Sequence, residues 1–150
     1  MDADRTALDD LVARYAVAVD RWDGAAVARL FTADGRMVLH EAGIQRPATR
    51  TLSMPEDIGN AIASLRRYVV TMHFVGQHVL DDFSESTDRA SGVTYCLANH
   101  VYEVEGGRVN RMVALRYFDD YVRLPDGWRF AERRLSFDWV EHRSTSSQGP

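Results

Sequence analysis

The sequence predicts an α+β fold in which helices come first and long antiparallel strands follow. In the first half of the chain, apolar residues recur at three- and four-residue spacing, which is typical of amphipathic helices. In the second half, segments rich in β-branched and aromatic residues alternate with short turns that contain Gly, Pro or Asp. A strongly curved antiparallel sheet with helices across its open mouth would enclose a pocket lined by one strand face.

Three helices are predicted in the N-terminal half. The first spans Thr6–Asp20. Its single apolar stripe consists of Leu8, Leu11, Val12, Tyr15 and Val19. Asp23 is the expected N-cap of a short second helix. Ser53 followed by Glu56, with a proline between them, marks the start of a third helix over Pro55–Arg67.

Five strands and one loop complete the predicted secondary structure. The strands are expected at Arg36–His40, Tyr68–Leu80, Arg89–Glu103, Val109–Leu124 and Trp128–Trp139. A polar, flexible loop is expected over Glu41–Ser53. No repeat or linker interrupts the sequence, so residues 1–150 are expected to form one domain. Residues 144–150 are predicted to be a disordered tail.

The composition excludes several classes of protein. The net charge of −4 and the absence of a basic stripe argue against a nucleic-acid binder. No apolar run approaches the roughly 20 residues that span a bilayer, and the first residues lack a signal-peptide pattern. The single Cys96 excludes an intramolecular disulfide and a cysteine-cluster metal site. We therefore expect a cytoplasmic protein that does not bind membranes.

The chain contains no lysine, because all 18 of its basic residues are arginines. This excludes Schiff-base catalysis, a lysine general base and a phosphate-binding P-loop. The sequence also lacks G-x-G-x-x-G, G-x-S-x-G and H-E-x-x-H, which disfavours dinucleotide-binding, α/β-hydrolase and zincin folds.

Strand alternation assigns polar residues to the two faces of the sheet. In the segment Tyr68–Leu80, His73 shares a face with Val75 and Gln77, whereas His78 points to the opposite face. His100 lies on one face of the next long strand together with Thr94, Cys96, Ala98 and Tyr102. A buried histidine must find a partner or stay neutral, because burial of its cation costs free energy.

Three segments resemble a known superfamily. They are Y-A-V-A-V-D-R-W-D-G-A-A-V-A-R-L-F, T-M-H-F-V-G-Q and R-Y-F-D-D-Y-V-R-L-P-D-G-W-R-F-A-E-R-R, within a likeness that covers roughly Leu8–Trp139. Together they are similar to the nuclear-transport-factor-2-like superfamily, and within it to the SnoaL-like branch that includes scytalone dehydratase. The resemblance implies a cone-shaped α+β barrel: a curved, mostly antiparallel sheet wrapped by about three N-terminal helices.

The resemblance also implies a set of catalytic positions. The catalytic aspartate of scytalone dehydratase falls at Asp20, and its two pocket histidines fall at His73 and His100. Two positions depart from that pattern: Val19 replaces a tyrosine, and Tyr117 lies near the place of an amide. The hexachlorocyclohexane dehydrochlorinase branch pairs an aspartate and a histidine with a lysine that this chain lacks.

These residues predict a lyase or isomerase of dehydratase type that needs no cofactor and acts on a small hydrophobic or polyketide-like molecule. Asp20 would fix the tautomer of His73, which would take a proton from a substrate carbon, with His100 as acid or hydrogen-bond donor. The residues expected to bind substrate are Tyr15, Val19, Trp22, Met72, Gln77, Tyr102, Arg116 and Tyr117. Phe31 and Phe118 are further candidates for shaping the cavity.

Two other functions are compatible with the sequence. Asp20, His73 and His100 have the ligand types of a two-histidine, one-carboxylate metal site, although no ligand-spacing motif accompanies them. Alternatively, the chain is a non-catalytic ligand-binding protein or a structural subunit similar to the ring-hydroxylating dioxygenase β subunit. An apolar outer sheet face with Tyr95, Leu97 and Val101 would then be an association surface. A homodimer or homotrimer through the sheet is expected.

The other histidines are not expected to take part in the site. His40 and His78 are expected to be structural, and His142 to be solvated.

Overall fold

The computed structural model describes residues 2–83 and 86–146. Its helices are α1 (Asp2–Asp20), α2 (Gly24–Ala28) and α3 (Pro55–Ala63), the last followed by a 3₁₀ turn (Ser64–Arg67). Its strands are β1 (Phe31–His40), β2 (Arg50–Leu52), β3 (Val70–Phe83), β4 (Arg89–Val104), β5 (Gly107–Leu124) and β6 (Gly127–Thr145).

All six strands belong to one sheet in the order β2-β1-β6-β5-β4-β3. Neighbouring strands are antiparallel except for β1 and β6, which are parallel. The sheet is curved but not closed, and with the three helices it forms the predicted cone. The α+β prediction is confirmed.

Several predicted boundaries need correction. The strand expected at Arg36–His40 begins at Phe31, and the loop expected over Glu41–Ser53 contains the short edge strand β2. The N-cap of α3 is Met54, which makes no capping hydrogen bond through its side chain, so the predicted capping motif at Ser53 is wrong. The helix starts at Pro55 because proline suits the first helical turn.

The C-terminal strand extends further than expected. Thr145 pairs with Arg108 and Ser144 pairs with Val109, so these two residues are ordered rather than part of a disordered tail. The reason is that β5 is long enough to form hydrogen-bonded pairs along most of β6. Residues 147–150 lie outside the described residues.

The helices pack on the concave, inner face of the sheet and bury the apolar stripe predicted for α1. The end of α1 turns at Trp22, whose φ of 55° lies in the left-handed region, and the Trp22 ring nitrogen donates to Thr71 Oγ at 3.0 Å on β3. Helices α2 and α3 approach closely at Gly24 and Gly59, where a Cβ on Gly24 would lie 2.0 Å from the Gly59 carbonyl oxygen. The first contact fixes the end of α1 against the sheet, and the second fixes α2 against α3.

A β-bulge interrupts the pairing of β3 with β4. Val75 pairs with Cys96, and the next aligned pair is His78 with Thr94, so Gly76 and Gln77 together oppose one residue of β4. Such a bulge shifts the alternation of side chains by one position. His78 therefore lies on the inner face, which corrects its predicted outward orientation.

Candidate functional site

The cone encloses a cavity of about 320 Å³, within the range of small-molecule sites. Its walls come from the inner face of the sheet, from α1 and from α3 with its 3₁₀ turn. Of the residues predicted from the sequence, those that line it are Tyr15, Val19, His73, His100 and Tyr117.

Asp20 and His73 are in direct contact at the wall of this cavity. Asp20 Oδ1 lies 2.7 Å from His73 Nδ1, and both carboxylate oxygens accept from the His73 backbone N–H, at 3.1 and 2.9 Å. The His73 side chain is 8% exposed and that of Asp20 25%. Among the described residues, His73 Nε2 has no hydrogen-bond partner, while Nδ1 is held by the carboxylate.

The position of Asp20 follows from the geometry of α1. Asp20 is the last residue of the helix, where a carboxylate opposes the helix dipole at a cost of a few tenths of a kcal/mol up to about 1 kcal/mol. Its contacts with the backbone and ring of His73 offset that cost, because hydrogen bonds to a charged group are worth roughly 1.5–3 kcal/mol. The bond from Trp22 to Thr71, two residues before His73 on β3, anchors the same corner.

His100 lies beside His73 on the same wall of the cavity, with ring centroids 5.5 Å apart in an edge-on arrangement. Burial, followed by the nearby His73 and Arg111, lowers the pKa of His100 to about 4. Its buried Nδ1 atom lacks a hydrogen-bond partner of ordinary geometry within the described part of the chain. His100 is thus neutral at physiological pH, and it retains unused hydrogen-bonding capacity next to His73.

Two tyrosines form the deep wall of the cavity. Tyr15 and Tyr117 are almost fully buried and their rings meet edge to face, with centroids 5.8 Å apart. Burial raises the pKa of Tyr15 to about 12 and raises that of Tyr117 well above its usual value. Both phenols therefore stay protonated and can act as hydrogen-bond donors.

A buried ion pair behind the tyrosines was missed by the sequence reasoning. Arg133 donates from Nε and Nη2 to the two carboxylate oxygens of Asp119, both at 2.8 Å, and both side chains are fully buried. The guanidinium carbon lies 4.1 Å from the ring centroids of Tyr15, Tyr117 and Phe130. Asp119 could have been found because it shares strand parity with Tyr117; Arg133 faces inward only because Ala131 is an extra residue in the β5–β6 pairing.

Three predicted substrate-binding residues lie on the outer face of the sheet. Met72 is 56% exposed and alternates with His73. The bulge in β3 turns Gln77 outward, where it lines a groove with Phe74 and Tyr95. Arg116 also points outward and donates from Nε to Asp138 at 3.0 Å, so strand parity selects Tyr117 and not Arg116 as the cavity residue.

The remaining predicted cavity residues lie elsewhere. Trp22 is at the α1–α2 corner, bonded to Thr71, and Tyr102 lies beyond the cavity mouth with its ring 6.4 Å from that of Tyr68. Phe31 packs in the core against Phe130, and Phe118 has the outward parity opposite to Tyr117. Trp22 and Tyr102 do not line the cavity because they lie near the ends of their helix and strand, Phe31 because it packs into the core, and Phe118 because its strand parity points it outward.

The other histidines have local partners. His78 contacts Asp9 through Nδ1 at 2.6 Å and the Tyr121 hydroxyl through Nε2 at 3.1 Å. His40 Nδ1 lies 2.9 Å from the Arg46 carbonyl oxygen. His142 is exposed on β6.

Charged residues at the cavity mouth were also missed. The mouth contains Glu41, Arg50, Arg67 and Arg111. Arg111 is the cross-strand partner of His100 and shares odd-numbered parity with Tyr117 on β5, which is the signal that could have identified it.

Over residues 2–83 and 86–146, no group of three His, Cys, Asp or Glu side chains is arranged to hold a metal ion. None of the helices in those ranges is long and apolar enough to cross a membrane.

The fold and the cavity define the class of protein: a cone with a curved sheet, a helical cover and an enclosed polar pocket. The chain belongs to the SnoaL-like domain family, whose model matches residues 3–134. This confirms the resemblance to the SnoaL-like branch of the nuclear-transport-factor-2-like superfamily.

Solved structures of similar proteins agree with this assignment. The Kfla4162 protein of Kribbella flavida is 26% identical, with 93% of this chain and 94% of that chain covered and a TM-score of 0.79. A Novosphingobium aromaticivorans protein provisionally described as an aromatic ring hydroxylase is 24% identical (97% and 95% covered, TM-score 0.79). Another, provisionally described as a scytalone dehydratase, is 18% identical (99% and 95% covered, TM-score 0.77). No curated protein matches the sequence significantly.

Proposed function

We propose that this protein is a lyase or isomerase of dehydratase type that works by general acid–base catalysis without a cofactor. The observation that supports it most is the contact between Asp20 and His73 Nδ1, which leaves His73 Nε2 available at the wall of an enclosed cavity. A carboxylate that holds one imidazole nitrogen raises the proton affinity of the other and stabilises the imidazolium that forms.

The proposed reaction starts with transfer of a proton from a substrate carbon to His73 Nε2. In an elimination, the electrons of the C–H bond form the new double bond and the C–O bond to the β-hydroxyl breaks. The proton on His73 then passes to the departing hydroxide, which leaves as water. In an isomerisation, His73 returns the same proton to a different carbon of the substrate.

His100 and the tyrosines would stabilise the developing negative charge. Because its pKa is lowered to about 4, His100 is unprotonated near neutral pH and has no imidazolium proton to give, but its neutral form remains a hydrogen-bond donor or acceptor. The protonated phenols of Tyr15 and Tyr117 add hydrogen-bond donors on the buried wall of the cavity, where burial strengthens their interaction with an enolate oxygen.

A substrate panel in deuterated water tests this proposal. Small cyclic ketones with a β-hydroxyl group, and their β,γ-unsaturated analogues, would be incubated with the protein and analysed by NMR for loss of water, migration of the double bond or carbon-bound deuterium. We expect one class to react with wild-type protein and not with His73→Gln. Turnover that persists in His73→Gln would overturn the assignment of the base.

The outer face of the sheet supports association with another subunit, which a non-catalytic binding or structural subunit would also require. We call the exposed residues there the outer apolar patch: Met72, Phe74, Tyr95, Leu97 and Trp139. Exposed apolar groups of this kind often mark association sites. We propose that the patch joins copies of this chain into a homodimer or homotrimer, and that the protein acts in the cytoplasm.

Sedimentation of Phe74→Glu and Leu97→Glu tests the association. Both charges would be buried in the interface, so we expect a smaller assembly than that of wild type. Val17→Glu, on the exposed side of α1, is the matched control because Val17 is exposed outside the sheet. An unchanged mass for both patch variants would exclude the patch as an interface.

A further inference from the structure

The cavity mouth has a charge opposite to that of the whole chain. Three arginines, Arg50, Arg67 and Arg111, line it together with one acid, Glu41, whereas the chain has a net charge of −4. A cleft lined by side chains of one charge raises the local concentration of ions of the opposite charge. The deeper wall, by contrast, is apolar apart from the histidines and tyrosines, with Val19, Val113 and Leu115.

Arg111 and Arg67 lie on the two sides of His100. Arg111 is the cross-strand partner of His100, on the same inner face. Arg67 ends the 3₁₀ turn, and its guanidinium lies 4.8 Å from the ring centroid of Tyr68, which itself is 5.0 Å from the His100 ring. Both arginines contribute, after burial and His73, to the lowered pKa of His100, which places their charges near its ring.

These guanidinium groups have no carboxylate partner within residues 2–83 and 86–146. Arg67 is held by neutral atoms, the carbonyl and hydroxyl oxygens of Ser64 at 3.2 and 3.1 Å. On the outer face of the same strand as Arg111, Arg116 is paired with Asp138. Asp20, the carboxylate of the proposed catalytic pair, directs its oxygens to His73.

We propose that the substrate bears a carboxylate, which Arg111 and Arg67 bind at the cavity mouth while its hydrophobic body extends toward His73. A guanidinium suits this role because its planar donors match the two oxygens of a carboxylate. The binding orients the molecule, so that a carbon near the anionic end comes within reach of His73. This inference rests on the proposed function for the identity of the site, and it names the substrate class.

The binding of two matched probe molecules tests the proposed carboxylate site without any measurement of turnover. Isothermal titration would compare 2-naphthoate with the neutral 2-naphthamide, which has nearly the same shape. We expect the carboxylate to bind at least about tenfold more tightly, and its advantage to fall as salt is added, because a partly exposed ion pair is screened. Arg111→Gln should abolish most of the advantage, and Arg67→Gln should reduce it.

Arg108→Gln is the control, because Arg108 lies on β5 three residues before Arg111 and makes an exposed pair with Glu103. It should retain the preference for the carboxylate. Equal affinities of the two probes for wild type, failure of both to bind, or a preference that survives in Arg111→Gln would each overturn the proposal. His73→Gln distinguishes the two claims: retained carboxylate preference with unchanged turnover would refute the catalytic role of His73 and leave this inference standing.

Discussion

Two histidines on β3 each contact an aspartate of α1, and the difference between them is informative. His73 Nδ1 lies 2.7 Å from Asp20, and His78 Nδ1 lies 2.6 Å from Asp9, with both imidazoles 8% exposed. The second nitrogen of His78 is occupied by the Tyr121 hydroxyl, which in turn donates to Asp119. The second nitrogen of His73 borders the cavity.

The comparison shows that a histidine–aspartate pair does not by itself define a catalytic site. His78 ends a chain of contacts through Tyr121 and Asp119 to the buried Arg133, so both of its nitrogens are used within the fold. His73 has one nitrogen held and one available. We therefore assign chemistry to the Asp20–His73 pair and stability to the Asp9–His78 pair.

The largest expected effect is the loss of turnover in His73→Gln, compared with His78→Gln. His73→Gln should lower kcat by roughly 10²- to 10⁴-fold, the usual contribution of a general base. His78→Gln should leave kcat within a few fold, because its ring does not border the cavity. Steady-state kinetics on the substrate identified by the panel measures both. Similar losses in the two variants would remove the distinction drawn between the pairs.

The next effect concerns the buried end of the His78 network. Asp119→Asn leaves the fully buried Arg133 without its counter-ion and should lower the free energy of unfolding by roughly 3–5 kcal/mol. Urea denaturation measures this loss. Asp138→Asn, which weakens the part-exposed pair with Arg116, is the control and should cost about 1 kcal/mol or less. Equal losses would show that burial does not determine how much these ion pairs contribute to the free energy of unfolding.

His100 should make stability depend on acid. Its pKa is lowered to about 4 from an ordinary value of 6.5, so between these values the unfolded chain binds more protons than the folded one. The contribution of His100 to the free energy of unfolding should therefore be constant above pH 6.5. It should fall by up to about 3 kcal/mol as the pH decreases toward 4. Relative to wild type, His100→Gln should lose less stability over that range.

Thermal unfolding at several pH values measures this difference. His142→Gln is the control, because the exposed His142 should leave the acid dependence unchanged. An acid dependence of His100→Gln identical to that of wild type would contradict the neutral, buried state of His100.

The smallest effect concerns the corner that holds Asp20. Trp22→Phe removes the bond to Thr71 and should cost about 1 kcal/mol of stability. If the corner positions Asp20, kcat should fall several-fold while KM changes little, because Trp22 does not line the cavity. Denaturation and kinetics together measure this. A change confined to KM would indicate instead that Trp22 contacts the substrate.

Alternation along strands predicted much of the fold and part of the site. It gave His73 and His100 the orientation found in the structure, because the bulge in β3 comes after His73 and no register shift interrupts the pairing of β4 with β5. It was not applied to choose between Arg116 and Tyr117, which both remained candidates. It failed for Gln77 and His78, because the bulge at Gly76–Gln77 depends on how two strands fit together; a glycine inside a strand, here Gly76, was the sequence signal that could have indicated it.

The same limit applies to Arg133 and Asp20. The inward direction of Arg133 depends on the extra residue Ala131 in the pairing of β5 with β6. The meeting of Asp20 with His73 depends on where α1 ends against β3, and the family resemblance, not local pattern, predicted it. Long-range packing determines both.

The most direct test of the central claim is the tautomer of His73, read from ring nitrogen chemical shifts by NMR at mildly alkaline pH. Asp20 should hold the proton on Nδ1 and leave Nε2 as the acceptor that faces the cavity, and Asp20→Ala should release this preference. A His73 ring with its proton on Nε2 in the wild-type protein would contradict the account, because the nitrogen that borders the cavity could not then take a proton from a substrate.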